Sequence, residues 1–201
     1  MTADELLFRR VVVAGFAFLY WAGVLVQARR VRKQIGRSPN LRPRGRKEKL
    51  LWLGWLLVIA IWMIQPLLIG KVPGAQVLEP LITRAGLVVG FGLTVAGYVG
   101  TLWCYVAMGN AWRVGINRKE KNALVNRGPY RFVRHPIYLC QIVMLAGGAL
   151  LLPTLLSCVI LVVHLLCVLI KALDEEAYLL SVHGEAYREL MARTGRLLPK
   201  V

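Results

Sequence analysis

The sequence predicts an all-α, polytopic membrane protein with about five transmembrane helices, a C-terminal helical hairpin and a cytoplasmic C-terminal helix. Three observations carry that prediction. The 201-residue chain is 57% hydrophobic with a mean hydropathy of +0.57, too apolar for an ordinary water-soluble domain. Its apolar residues gather into blocks near the ~20 residues that a helix needs to cross a ~30 Å hydrocarbon core. Its 26 Lys and Arg, against 10 Asp and Glu, fall in the gaps between those blocks, as cytoplasmic loops do. That placement also argues against nucleic acid as a partner, because no stripe of basic and aromatic residues forms a separate domain.

The first apolar block runs from about Leu6 to Val26, with Arg9 and Arg10 expected to snorkel or sit at the interface. It is too long for a cleavable signal peptide and lacks a small-residue cleavage site. The second block, Leu50 to Ile69, carries Trp52, Trp55 and Trp62 and ends near Gln65-Pro66. The third, roughly Leu81 to Met108, exceeds one span, so it tilts or projects beyond the bilayer. Its Gly86/Gly90 and Ala96/Gly100 pairs, with Gly97, mark surfaces for close helix packing. The fourth and fifth blocks, Pro136 to Leu152 and Thr154 to Leu173, are parted by little more than Pro153 and form an antiparallel hairpin. Pro136 opens the fourth helix where a missing N–H costs nothing. A polar helical stretch from Glu175 to about Arg193 ends at Gly195, with Pro199 beyond.

Orientation follows from the basic residues. Arg29 to Lys49 holds ten Lys and Arg against Glu48, and Arg113 to Arg134 holds seven against Glu120. The opposite side carries only Lys71 and Arg84 as basic residues in its long loop and no charge around Pro153. Both basic stretches and the C-terminus therefore face the cytoplasm. The four cysteines, Cys104, Cys140, Cys158 and Cys167, lie inside apolar blocks without C-x-x-C spacing, the pattern of reduced thiols rather than of a zinc site.

Two polar clusters are left on one membrane face: Gly128 to Tyr138, and Lys171 to Glu176. Ionisable residues at that depth mark functional sites. His164, Lys171 and Glu175 are spaced by seven and four, so they fall within ~20° on a helix of 3.6 residues per turn. Glu175 is placed to receive a cationic group or a hydroxyl, or to pair with Lys171 at i and i+4. His164 suits a helix-packing hydrogen bond, while Asp174 and Glu176 point elsewhere toward solvent. His135 precedes a proline, which turns it from helical geometry and leaves its backbone groups open to a ligand. Tyr138 stacks or donates a hydrogen bond in the next turn. The alternative for Arg131, Phe132 and Arg134 is an interfacial anchoring belt.

The ordered run from Asn122 through Gly128-Pro129-Tyr130 to His135-Pro136-Ile137-Tyr138 resembles the isoprenylcysteine carboxyl methyltransferase family and its phospholipid methyltransferase relatives. Glu175-Glu176, Gly184-Glu185-Ala186-Tyr187 and Leu198-Pro199 continue the same pattern, so the resemblance covers roughly residues 109 to 199. It implies a catalytic, cofactor-binding region over 109–201 behind three N-terminal helices over 1–108, and S-adenosylmethionine as methyl donor. Cofactor contacts would fall on Asn122, Ala123, Leu124, Val125, Tyr130, His135, Pro136, Ile137, Tyr138 and Glu175. Glu175, Lys171 and His135 are the candidate catalytic residues. An amine or thiol acceptor needs a base, and Glu175 or His135 supplies it; a carboxylate needs none.

Two departures from the family pattern bear on the acceptor. Lys171 stands where members that methylate prenylated carboxylates have an arginine, and lysine lacks the bidentate fork. Gly115 stands where the eukaryotic members have a glutamine. Both speak against a prenylcysteine acceptor and leave the cofactor untouched. The implied partners are a lipophilic or small-molecule acceptor and membrane lipids, in an integral multi-pass membrane setting that is the plasma or inner membrane if the source is prokaryotic, with the active site facing the cytoplasm. Two alternatives remain: a sterol-reductase-like enzyme using NADPH, and a non-catalytic protein whose Arg29 to Lys49 stretch binds anionic lipid at ~1 kcal/mol per basic residue.

Overall fold

Thr2 starts the first helix. Its side-chain oxygen accepts the Glu5 N–H, and Asp4 and Glu5 place negative charge at the positive end of the helix dipole. In this computed structural model, which describes residues 2–39, 43, 45–113 and 124–200, the described chain is all-α. The helices are α1 (Ala3–Ile35), α2 (Gly45–Leu68), α3 (Arg84–Met108), α4 (Pro136–Leu151), α5 (Leu155–His183) and α6 (Glu185–Arg193). Thr83 and Thr154 cap α3 and α5 as Thr2 caps α1, accepting from Gly86 N and Ser157 N. α1, α2, α3 and α5 are long and apolar enough to span a bilayer, and α4 is a shorter apolar helix of 16 residues. Large apolar side chains such as Phe18, Leu57, Val88, Val106 and Leu166 face outward, as lipid-facing positions do. The chain is a polytopic integral membrane protein.

Two helices run further than their apolar blocks. α1 continues through Arg29–Lys33, because Arg and Lys are good helix formers and sit well in the last turn. α5 continues to His183, so the expected helix from Glu175 to Arg193 is split. The break falls at Gly184, whose φ of 52° favours glycine, and α6 starts after it.

α3 and α4 pack along glycines. A Cβ on Gly90 would lie 2.9 Å from the Gly147 carbonyl oxygen, and one on Gly97 would lie 2.6 Å from that of Cys140. Thr94 and Thr101, buried in the same seam, return their hydroxyls to Gly90 O and Gly97 O. Ala96, paired with Gly100 by spacing, is exposed instead; Gly100 alone of the two meets Cys140.

Arg9 corrects the expectation of snorkelling. It is 0% exposed and donates to Leu150 O, Leu151 O and Thr83 O while pairing with Glu5 at 2.8 Å. The last carbonyls of α4 have no partner within their own helix, and a buried guanidinium with its own carboxylate satisfies them. Arg10 donates to Pro66 O. At this end, Leu78 N donates to Pro153 O and Leu156 N to Gly74 O, tying the 69–83 connection to the α4–α5 turn. At the other end, Lys47 pairs with Asp174 at 2.6 Å, so Asp174 is partnered rather than merely solvated. The basic start of α2 and the polar end of α5 thus share one face.

Candidate functional site at the mouth of the helical hairpin

The approach to α4 is fixed from both sides. Gly128–Arg131 forms a short 3-10 turn against α3, where Gly128 (φ 58°) lies beside Trp103 and Ala107. Arg127 Nε donates to Ala107 O at 2.8 Å and holds the turn there. Tyr130 is buried with Cys104 and Ala107, and Val125 and Ile137 pack on the same cluster. Burial drives the Tyr130 phenol well above its ordinary pKa, so it stays protonated.

The C-terminal segment then returns beside residues 133–135. Val133 and Gly195 form a parallel bridge, Arg134 N donates to Gly195 O at 2.9 Å, and His135 N donates to Arg196 O at 3.1 Å. His135 O accepts from Leu139 N. His135 is non-helical (φ −124°, ψ 59°), as expected before proline, but its backbone groups are not free for a ligand. The chain's own tail and the first turn of α4 occupy them.

Side chains converge below this strand-like contact. Glu176 accepts from Arg134 Nε at 2.9 Å and from Arg196 Nε and Nη2 at 3.1 and 2.8 Å. Its side chain is 6% exposed and that of Arg134 is 8% exposed. Arg134 also donates to Met191 O and Thr194 O. Glu175, on the neighbouring bearing of α5, accepts the Tyr138 hydroxyl at 2.9 Å and lies 3.5 Å from His135 Nδ1. His135 Nε2 stands 3.5 Å from Glu176 Oε1, an ion-pair separation rather than a hydrogen bond. The His135 and Tyr138 rings stack at 5.6 Å. Burial works to lower the His135 pKa, but the two carboxylates outweigh it and the net shift is upward. The Glu176 carboxylate likewise raises Arg196.

The arrangement divides labour between adjacent carboxylates. Glu176 is consumed by two guanidinium groups and ties the tail to the hairpin. Glu175, with 23% of its side chain exposed, keeps capacity to accept from a further group. The expectation that Glu176 simply faces solvent is therefore overturned. So is the belt reading of Arg134, which points inward to its carboxylate.

The structure brings His135, Pro136, Tyr138 and Glu175 together and sets Tyr130 and Ile137 close behind them on the α3 side. Leu124 and Val125 are half-buried. Asn122, Ala123 and Gly115 lie outside the described residues. Lys171 is half-buried one turn before Glu175, and no ion pair joins the two. His164 is buried further into the span, stacked on Trp55 at 6.1 Å rather than hydrogen-bonded to a neighbouring helix. Sequence reasoning did not single out Arg196. Its partner Glu176 lies 20 residues away, and no spacing rule connects a tail arginine to a helix carboxylate.

Comparison with known proteins adds a family match. The model of the isoprenylcysteine carboxyl methyltransferase (ICMT) family matches residues 88–181, from the first turns of α3 to the end of α5. Two relatives are similar over most of this chain. The nickel-cobalt-cadmium resistance protein NccN of Alcaligenes xylosoxydans xylosoxydans is 29% identical over 147 residues, covering 71% of this chain and 65% of its own. The cobalt-zinc-cadmium resistance protein CzcN of Cupriavidus metallidurans is 28% identical over 152 residues, covering 74% of this chain and 64% of its own. The match thus spans less than two thirds of either relative. The family match starts inside α3, ahead of the stretch from about residue 109 that carries the resemblance by motif.

Proposed function

We propose, from the match of residues 88–181 to the model of the isoprenylcysteine carboxyl methyltransferase family, that this chain is an S-adenosylmethionine-dependent methyltransferase of the membrane. It acts on a lipophilic or small-molecule acceptor, with its site facing the cytoplasm. The observation that carries the proposal is Glu175: a partly exposed carboxylate at the hairpin mouth, oriented by the Tyr138 hydroxyl and the His135 ring. A carboxylate with spare acceptor capacity suits the ammonium group or a ribose hydroxyl of the cofactor.

Glu175, Tyr138 and His135 would hold the cofactor, with Pro136, Ile137, Tyr130, Leu124 and Val125 forming the apolar side and Asn122 and Ala123 completing it. S-adenosylmethionine, when bound, supplies a methyl group on a sulfonium that departs as a neutral thioether once an acceptor lone pair takes the carbon. The protein contributes alignment, worth several kcal/mol. A carboxylate acceptor needs no further help. An amine or thiol acceptor loses a proton, and Glu175 is the better base of the two candidates, because His135 is held toward its charged form by two carboxylates. His135 then acts as a positioning residue. Lys171, unpaired with Glu175, is free to meet an anionic part of the acceptor from the membrane side.

The relatives' names concern metal resistance. Among the described residues, no three His, Cys, Asp or Glu side chains gather to hold a metal, so the proposal follows the carboxylate site instead.

Incubating membranes containing the protein with methyl-labelled S-adenosylmethionine and a panel of lipid extracts and small acceptors tests the reading. Label should enter an acceptor with the wild type and fall at least tenfold with Glu175→Gln. Equal labelling by both proteins would remove Glu175 from the mechanism.

A further inference from the structure

Where the ends of α1 and α3 meet, at the end of the bundle that carries the hairpin mouth, lies a pocket of about 80 Å³. Gln27, Arg30 and Gln34 line it from α1, and Tyr105, Val106 and Asn110 line it from the end of α3 and the turn that follows. The three α1 residues are spaced by three and four, so they form one stripe along that helix. A water-sized group needs roughly 10–15 Å³ by this measure, so the pocket has room for about five of them, the size of a phosphate group with its oxygens.

The lining holds one cation and several amide donors, and no Asp or Glu. Arg30 carries a guanidinium fork that matches phosphate oxygens, and each amide adds an NH₂ group. Among the described residues, Arg30 makes no ion pair. Gln27 is the telling neighbour. It is 7% exposed, yet its side chain makes no hydrogen bond among the described residues. Buried polar side chains are nearly always paired, so an unpaired amide beside an unpaired guanidinium points to an anionic acceptor from outside the chain.

The surroundings decide which anion. Val106 lines the pocket and is 72% exposed, and Leu102, one turn before it on α3, is exposed too. On α1, Gly23 stands one turn before Gln27, and a Cβ there would meet nothing within 4 Å. The pocket therefore continues into open, apolar, lipid-facing surface toward the middle of the span. A free anion uses only the polar part, whereas a phospholipid uses both, with its phosphate at Arg30 and a chain along Leu102 and Val106. A choline or ethanolamine headgroup brings an ammonium to a lining without a carboxylate; a glycerol headgroup brings hydroxyls that the amides can meet. We infer that this pocket binds the headgroup of an anionic, glycerol-type phospholipid, which braces α1 against the end of α3. Val31, Tyr105 and Trp112 pack together beside it with Ile137 against them, so the lipid steadies the wall behind the hairpin mouth. The inference goes beyond the methyltransferase reading and does not depend on it.

The test uses full-length protein in detergent micelles, with phosphatidylglycerol and phosphatidylcholine of identical acyl chains added in equal amounts and retained lipid read by native mass spectrometry. The wild type should retain phosphatidylglycerol over phosphatidylcholine by about fivefold or more, the effect of one basic contact near a membrane surface. Arg30→Gln and Gln27→Leu should each remove that preference. Arg32→Gln loses the same charge from another face of α1 and should keep it. Arg30 is exposed, so its variant folds and decides the matter if Gln27→Leu does not. Glycerol 3-phosphate in excess should leave the retained lipid in place. No retention, equal retention of the two lipids, a preference in Arg30→Gln like the wild type, or equal losses in Arg30→Gln and Arg32→Gln would overturn the site. Displacement by glycerol 3-phosphate would overturn its assignment to a lipid and leave a pocket for a soluble anion.

Discussion

Replacing Glu176 by glutamine keeps the shape of the side chain and removes the charge that Arg134 and Arg196 share. The wild-type carboxylate accepts three hydrogen bonds at 2.8–3.1 Å, and Arg134 is almost wholly withdrawn from solvent. Breaking a buried pair by removing one partner costs ~3–5 kcal/mol. Glutamine retains one carbonyl oxygen for one donor, so the lower end, about 3 kcal/mol, is the expected loss. At 1.4 kcal/mol per decade that corresponds to roughly a hundredfold more frequent local opening. The opening should be local, because the tail is joined to the hairpin mainly through this cluster and two backbone bonds. Hydrogen exchange reads it directly at the Arg134 and His135 amides, whose acceptors are Gly195 O and Arg196 O. Their protection should fall about a hundredfold in Glu176→Gln, while amides in the α3–α4 seam keep theirs. Protection within twofold of the wild type would refute the role given to Glu176. An equal loss in the seam would show that the cluster supports the whole bundle instead.

Two further predictions follow from the seam and from His135. Gly97→Ala should destabilise the protein by ~1–3 kcal/mol through overpacking against the Cys140 carbonyl, whereas Gly92→Ala, with nothing within 4 Å, should be near neutral; denaturation in detergent micelles compares them, and similar losses would contradict the close approach. The His135 pKa is raised in the folded state, so its contribution is fully present below the unfolded value of 6.5 and is lost as pH rises through the folded value. Stability should therefore decline above pH 6.5 in the wild type and decline less in His135→Gln, and parallel profiles would show that His135 is not charged between the two glutamates.

Much of the fold was legible because a bilayer imposes a length and an apolar character on each span. The hairpin about Pro153 and the shared face of the two polar clusters followed from block lengths and charge placement alone. Helix ends were less legible where good helix formers carry a helix past its apolar block, as Arg29–Lys33 and Glu175–Leu180 do. Gly184, the actual stop, lay inside what looked like one polar helix. Within the site, Glu175 and Tyr138 were readable from spacing and motif, and the structure joins them. The partners of Glu176 and Arg9 were hidden for a common reason. Each is a charge that satisfies groups far away in sequence, α4 carbonyls some 140 residues on for Arg9 and a tail arginine for Glu176. A one-dimensional pattern assigns an unpaired charge to solvent, and only tertiary contacts supply its partner.

The central claim is that Glu175 and Tyr138 hold a methyl-donor cofactor at the hairpin mouth. Titration of the purified protein in nanodiscs with S-adenosylhomocysteine tests it most directly. The account predicts saturable binding that weakens at least tenfold in Glu175→Gln and measurably in Tyr138→Ala, since each removes one side of the 2.9 Å hydrogen bond. Absence of S-adenosylhomocysteine binding, with NADPH binding in its place, would contradict it.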